Sequence, residues 1–100
     1  MKPFELTKKA RNDLVDIAKY TEKKWGRTQR NLYIKQFDDS FYLLSKNAFA
    51  GKECSNIKKG YRKFPQGSHI IFYTSGEKSK VRIVRILHKN MDIESKFESQ

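Results

Sequence analysis

The hydrophobic repeat of this chain changes once, at Gly51, and that change sets the fold class. Between Lys8 and Trp25 the less polar residues fall at Ala10, Leu14, Ile17, Ala18, Thr21 and Trp25, with Lys, Arg, Asp and Glu between them. Spacing of three to four residues gathers one stripe along a helix. Thr7 precedes the stripe and suits the N-cap, where a side-chain oxygen accepts from a free N–H of the first turn. Gly26 breaks the pattern. A second stripe then runs from about Thr28 through Tyr33, Phe37, Phe41 and Leu44 and ends before Gly51. Two amphipathic helices joined at Trp25-Gly26-Arg27 predict a helical hairpin, with Trp25-Gly26 serving its turn and the core.

Beyond Gly51 the chain shortens its period. Gly60 to Pro65, Ser68 to Ser75 and Lys80 to His88 are short runs rich in Ile, Val, Phe and Tyr. Pro65-Gln66-Gly67 and Gly76-Glu77-Lys78-Ser79 separate them, so tight antiparallel hairpins are expected. With a short extended segment at Phe4 and Leu6 in front, the order is β-α-α-β-β-β. That is an α+β fold, a helical hairpin packed on one face of an antiparallel sheet. The last run is apolar at Val81, Ile83, Val84, Ile86 and Leu87, as in a central strand. Strict alternation would put Arg82 and His88 on one side of it and Arg85 on the other. Lys96 to Gln100 reads as a frayed tail.

One hundred residues make a single domain, 1–100. No apolar run approaches the roughly 20 residues that span a bilayer, and Met1 to Leu6 lacks the apolar centre of a signal peptide. The expectation is a soluble cytoplasmic protein with no membrane partner. A lone Cys54 excludes an internal disulfide, and His69 and His88 lack the spacing of a metal site. No glycine-rich phosphate loop is present, so no metal and no cofactor are expected. Asp38 and Asp39 are adjacent on a helix and diverge by about 100°, too far to converge on one substrate.

Charge is the first functional clue. Lys and Arg number 22 against 11 Asp and Glu, a net charge of +11. Residues 52–89 hold ten basic residues against Glu53 and Glu77, a local +8, whereas residues 90–100 carry −2. Such a field draws anionic partners: nucleic acid, an acidic protein or an anionic surface. Arg62, Lys58, Lys59, Arg82, Arg85 and His88 fall on or beside the sheet. Cleaving RNA needs cations on the phosphate and a proton carrier near neutral pH, and Arg82 with His88 offers both. Neither Glu53 nor Glu77 stands where a paired general base is evident, so binding and catalysis both remain open on the residues alone.

Trp25-Gly26 with Gln29 and Tyr33, then Gly60-Tyr61-Arg62-Lys63-Phe64, then Gly67-Ser68-His69-Ile70-Ile71-Phe72-Tyr73, and finally Arg85-Ile86-Leu87-His88 with Met91-Asp92 form an ordered set. Together these strings resemble the ParE family of toxins, within the wider RelE/ParE superfamily, from about Phe4 to Ile93. The chain departs from the family at Lys52, where many relatives carry Arg, and at Asn47-Ala48, where a common Pro is missing. The resemblance implies the fold derived above and a bacterial toxin that poisons DNA gyrase, chiefly through its A subunit, and so blocks replication. It also implies a ParD-like antitoxin whose partly disordered segment wraps the toxin, covering the sheet edge and the helical hairpin. On this reading the chain has no catalysis of its own. The alternative is a ribosome-dependent mRNA endonuclease like the RelE branch.

The site residues implied are for target binding. Arg62 either contacts gyrase or DNA or pairs with a carboxylate across the sheet. Arg82 and Arg85 are binding candidates because a charge on a central strand must reach an edge, a partner or an ion pair. His88, Met91 and Asp92 end the fold, where target contact is expected. His69 and Tyr73 share a strand face and are assigned to packing and hydrogen bonding. Alone, the chain is expected to bind DNA weakly and in a salt-sensitive way; nanomolar, sequence-specific binding at physiological salt in a filter or anisotropy assay would contradict this.

Overall fold

Thr7 ends the first strand and starts the first helix in a computed structural model of the chain, which describes residues 3–76, 79–91 and 93–98. Strand β1 (Phe4–Leu6) stops there, and the Thr7 hydroxyl accepts from the Ala10 N–H at 3.1 Å to cap α1 (Lys8–Trp25). Gly26, at φ +95°, turns the chain directly into α2 (Arg27–Lys46). Strands β2 (Lys52–Glu53), β3 (Arg62–Gln66), β4 (His69–Ser75) and β5 (Val81–His88) follow, and then helix α3 (Ile93–Glu98).

The α+β architecture stands, with the helical hairpin on a five-stranded sheet ordered β1-β5-β4-β3-β2. The sheet is mixed, because β1 runs parallel to β5. The Lys80 N–H donates to Pro3 O and the Thr7 N–H to Ile83 O, both at 3.0 Å, which ties the first strand to the last. Strand β2 is an addition to the expected order. Pro65 and Gln66 belong to β3, so the turn shrinks to Gly67-Ser68 between the paired residues Gln66 and His69. Pro65 is tolerated because β2 pairs only with Arg62 and Lys63, leaving no ladder on its outer side. Where a frayed tail was expected, α3 forms: Ile93 and Phe97 have apolar surface to bury against.

Two clusters fill the two faces of the sheet. Phe37, Phe41, Leu44, Ile17 and Ala10 of the hairpin meet Ile71, Tyr73, Val81, Ile83 and Ile86. On the opposite face Phe72, Leu87 and Cys54 are covered by Ile57, Tyr61, Ile93 and Phe97. Tyr73 spans its cluster to the α2–β2 connection, donating to Ala48 O at 2.7 Å and accepting from the Gly51 N–H at 2.8 Å. Trp25 is not in the core; it is 66% exposed, and Thr21 is the last buried position of the α1 stripe.

Strand β5 carries a bulge that overturns the simple alternation. Phe72 stands opposite Arg85 but Tyr73 opposite Ile83, so Val84 is an extra residue. Arg82 and Arg85 therefore stand opposite alternate β4 positions, Thr74 and Phe72, and the Arg85 guanidinium reaches back to Asp13 of α1. His88 moves to the hairpin side, opposite His69. Because β1 ends opposite Ile83, the outer edge of β5 beyond the bulge has no strand partner, and α1 closes it instead. Thr7 donates through its hydroxyl to Val84 O at 2.8 Å, and Asp13 accepts from the Ile86 N–H at 3.0 Å. The same carboxylate takes two guanidinium hydrogen bonds from Arg85, at 2.8 and 3.0 Å.

Asp13→Ala would leave a mostly buried guanidinium and a strand N–H without an acceptor. The expected loss is about 3 kcal/mol, the usual scale for breaking such a pair. In a chain of this size that lowers the melting temperature by roughly 10–20 °C; a thermal melt followed by circular dichroism measures it.

Candidate functional site

The end of the sheet beneath the α1–α2 turn gathers groups from four elements. His69 opens β4 and His88 closes β5, and the two are register partners with rings edge-to-face at 5.3 Å between centroids. Gly67, at φ +59°, makes the tight turn that brings Ser68 and His69 under α2; a Cβ there would lie 2.6 Å from the Tyr33 hydroxyl. That hydroxyl lies 2.8 Å from His69 Nδ1, 3.2 Å from the Ser68 N–H and 3.2 Å from Gln66 O. All three contacts are satisfied when Tyr33 accepts from Ser68 and His69 and donates to Gln66. This leaves Nε2 of neutral His69 as an acceptor. His88 Nδ1 accepts from the Asn90 N–H at 3.1 Å.

Burial pushes the His69 pKa down to about 4; the neighbouring His88 adds to the fall and Asp13 opposes it. His69 is thus neutral at pH 7. Beside the two imidazoles opens a cleft of about 580 Å³, lined also by Ile17, Tyr20, Thr21, Trp25, Gln29 and Met91. Three large apolar side chains around it stand in solvent: Trp25 at 66%, Tyr20 at 61% and Met91 at 44% exposure. Lys24 lies along this wall, with Nζ 3.3 Å from the Tyr20 hydroxyl and 5.8 Å from the Trp25 ring centroid. Such a cleft can seat apolar side chains, while His69 Nε2 and the Gln29 amide offer polar contacts to a peptide.

The residues singled out in the sequence do not form one constellation. His88 and Met91 share the cleft. Arg62 lies on β3, donating to Gly51 O at 2.7 Å with its guanidinium 4.8 Å from the Phe49 ring centroid, so its described contact is a backbone carbonyl rather than a carboxylate. Arg85 is held by Asp13, and Arg82 is exposed with Glu5 and Thr74 opposite it. Asp92 lies outside the described residues. Among the described residues no group of three His, Cys, Asp or Glu side chains could hold a metal ion, and no helix is long and apolar enough to cross a membrane. Sequence reasoning missed Tyr20, Trp25, Tyr33 and His69 as cleft residues. The helical spacing had put Trp25 in the core, and nothing local reveals that Tyr33 meets His69 across 36 residues.

The fold has a counterpart among solved structures. The fold matches a chain of the "Chromosomal ParDE TA system from P. aeruginosa" with a TM-score of 0.73, covering 88% of this chain and 96% of that one at 19% identity. The family profile described as "ParE toxin of type II toxin-antitoxin system, parDE" matches residues 4–93. Among named relatives, "Toxin ParE1" of Caulobacter vibrioides is 35% identical over 92% of this chain and 94% of its own length. "Toxin ParE1" of Mycobacterium tuberculosis is 32% identical over 91% and 93%, and "Toxin ParE" of Escherichia coli 28% over 93% and 90%. The chain belongs to the ParE toxin family of type II toxin–antitoxin systems.

The His69 environment sets a pH dependence. Because its folded pKa lies below the ordinary 6.5, the unfolded chain takes up the proton first as pH falls. The stability tied to neutral His69 is present above about pH 6.5, declines below it and is gone near pH 4. An NMR titration of the His69 ring should show a midpoint about 4, and His69→Gln should flatten the fall in melting temperature between pH 6.5 and 4.

Proposed function

We propose that this chain is a protein-binding toxin that arrests DNA gyrase, chiefly through its A subunit, without catalysis of its own, and that a ParD-like antitoxin neutralises it. The observation that carries this reading is the cleft: Trp25, Tyr20 and Met91 stand exposed around one concavity beside two histidines. Exposed aromatic side chains clustered at a concave site are the anchors of protein–protein recognition, where a few residues supply most of the affinity. Membership of the ParE family supports the target and the antitoxin. The arginines support binding over phosphodiester cleavage: Arg85 is tied to Asp13 and Arg62 to the Gly51 carbonyl, so neither is presented to a scissile phosphate beside His88.

The ribonuclease reading draws on one feature, the pairing of His69 with His88 at the cleft. Its chemistry would need a proton carrier near neutral pH, and His69, with a pKa of about 4, is poorly matched to that task. His88 would then have to act.

The assay is purified toxin with gyrase, plasmid and ATP, digested with proteinase before the gel. Toxin-dependent linear DNA, suppressed by antitoxin, is the expected result; normal supercoiling without cleavage counts against the target. Trp25→Ala should weaken the effect tenfold or more, the scale of an anchor residue worth about 2 kcal/mol, with little change in melting temperature because the ring is exposed. His88→Ala should weaken gyrase poisoning without abolishing it, whereas a ribonuclease would lose cleavage of ribosome-bound mRNA outright.

A further inference from the structure

We propose that the ribbon of β2, β3 and the loop between them, residues 52–63, docks on the sugar-phosphate backbone of duplex DNA. The identity of the duplex in the cell, the segment held by gyrase, rests on the reading above; the contact itself does not.

The ribbon carries Lys52, Lys58, Lys59, Arg62 and Lys63 against the single carboxylate Glu53. Strand register sorts these charges. Glu53 pairs with Arg62, and Arg62 with Tyr73, on the hairpin side. Lys52 pairs with Lys63, and Lys63 with Phe72, on the opposite side. Two ammonium groups directly across a ladder repel one another, and neither has an ion pair among the described residues. An anion laid across them relieves that repulsion.

The loop adds two more exposed cations, Lys58 and Lys59, between the two strands. It folds back over the sheet, with Cys54, Ile57 and Tyr61 packed with Phe72 and Leu87. Its backbone is closed by Cys54 N–H to Tyr61 O at 3.0 Å, Ile57 N–H to Cys54 O at 2.9 Å and Tyr61 N–H to Lys58 O at 3.1 Å. Lys58 and Lys59 are left exposed on this braced loop, the Lys58 ammonium 5.7 Å from the Tyr61 ring centroid. A fixed backbone under the cations lowers the ordering cost of binding.

The same face suits a nucleic-acid backbone better than an acidic peptide. A segment that folds on binding needs apolar anchors, and here they are already taken: Phe72 is 1% exposed and Leu87 2%. Phe97 of α3 lies against Phe72 and Tyr61, at 5.0 and 5.8 Å between ring centroids. Anchors for a peptide are found in the cleft instead. Lysine ammonium groups are point charges that take phosphates without reading sequence.

The test is fluorescence anisotropy of a labelled random-sequence duplex with the full chain, titrated at several salt concentrations. The variant Lys52→Gln/Lys58→Gln/Lys59→Gln/Lys63→Gln is compared with an equal loss of charge on α1, Lys8→Gln/Lys9→Gln/Lys19→Gln/Lys23→Gln, both checked for folding by thermal melt. Each phosphate contact adds about 0.9 to the slope of log K against log salt. The ribbon variant should lower that slope by about 2–4 and weaken binding about 30-fold or more at low salt, with the α1 variant changing the slope by less than about 1. Equal losses in the two variants mean diffuse attraction and overturn the proposal, as does absence of binding by the wild-type chain at low salt. Tighter binding to a single-stranded RNA of the same length through the same lysines makes the surface an RNA site and overturns it. An equal loss of affinity for a ParD-type antitoxin in the ribbon variant makes it a protein surface and also overturns it. The series contains no gyrase, so its result is independent of the cleavage assay.

Discussion

Asp13 holds together the part of the molecule on which the site depends. Strand β5 is central only as far as Ile83, where its partner β1 ends. Past that point its outer edge would expose N–H and C=O groups. The first turns of α1 close this edge through the Thr7 hydroxyl on Val84 O and the Asp13 carboxylate on the Ile86 N–H. The Arg85 guanidinium completes the carboxylate's coordination at 2.8 and 3.0 Å. A carboxylate accepting three charge-assisted or backbone hydrogen bonds in a mostly buried setting is strong because each partner lacks an alternative in water. Helix, edge and bulge are thereby fixed relative to one another.

The bulge at Val84 has a consequence far from it in the strand. One extra residue reverses the facing of everything that follows, so Ile86 enters the hairpin core, Leu87 the opposite cluster, and His88 arrives opposite His69. Without it His88 would sit on the far face and the cleft would lose one of its two imidazoles. Tyr33 orients the other by meeting His69 Nδ1, while the turn glycine, Gly67, leaves room for the phenol. The cleft exists because α1 runs one turn past its last buried residue, Thr21, and leaves Trp25 with no core to enter. Two surfaces of different chemistry result, an aromatic cleft at one end and a basic ribbon at the sheet's other edge.

Most of the elements were legible because periodicity is a local signal. The α1 and α2 stripes, Gly26 as a break and the three later runs all correspond to observed elements, and the specific strings around Tyr61, His69 and His88 pointed to the family that the whole-chain comparisons bear out. The failures share a cause. Three residues at Phe4–Leu6 carry no record of which strand they join, so the parallel pairing with β5 was not visible. A bulge leaves no mark in an apolar run such as Val81 to Leu87. Phe97 looked like part of a frayed tail because its burial depends on Phe72 and Tyr61, which reach it only after the sheet has formed.

The sequence by itself determined the helical hairpin, the β-rich second half, the +11 charge with its local +8 over residues 52–89 and the membership of a toxin family. Each depends on residue spacing or content, which needs no folding to be read. Tertiary structure alone decided which charges are free and which are spent. Arg85 and Arg62 are engaged inside the fold, while Lys52, Lys63 and Arg82 are not ion-paired among the described residues. It also decided that Trp25 belongs to a surface and His69 to a site. These outcomes turn on contacts between residues tens of positions apart, set by a one-residue bulge and by where a helix outruns the sheet beneath it.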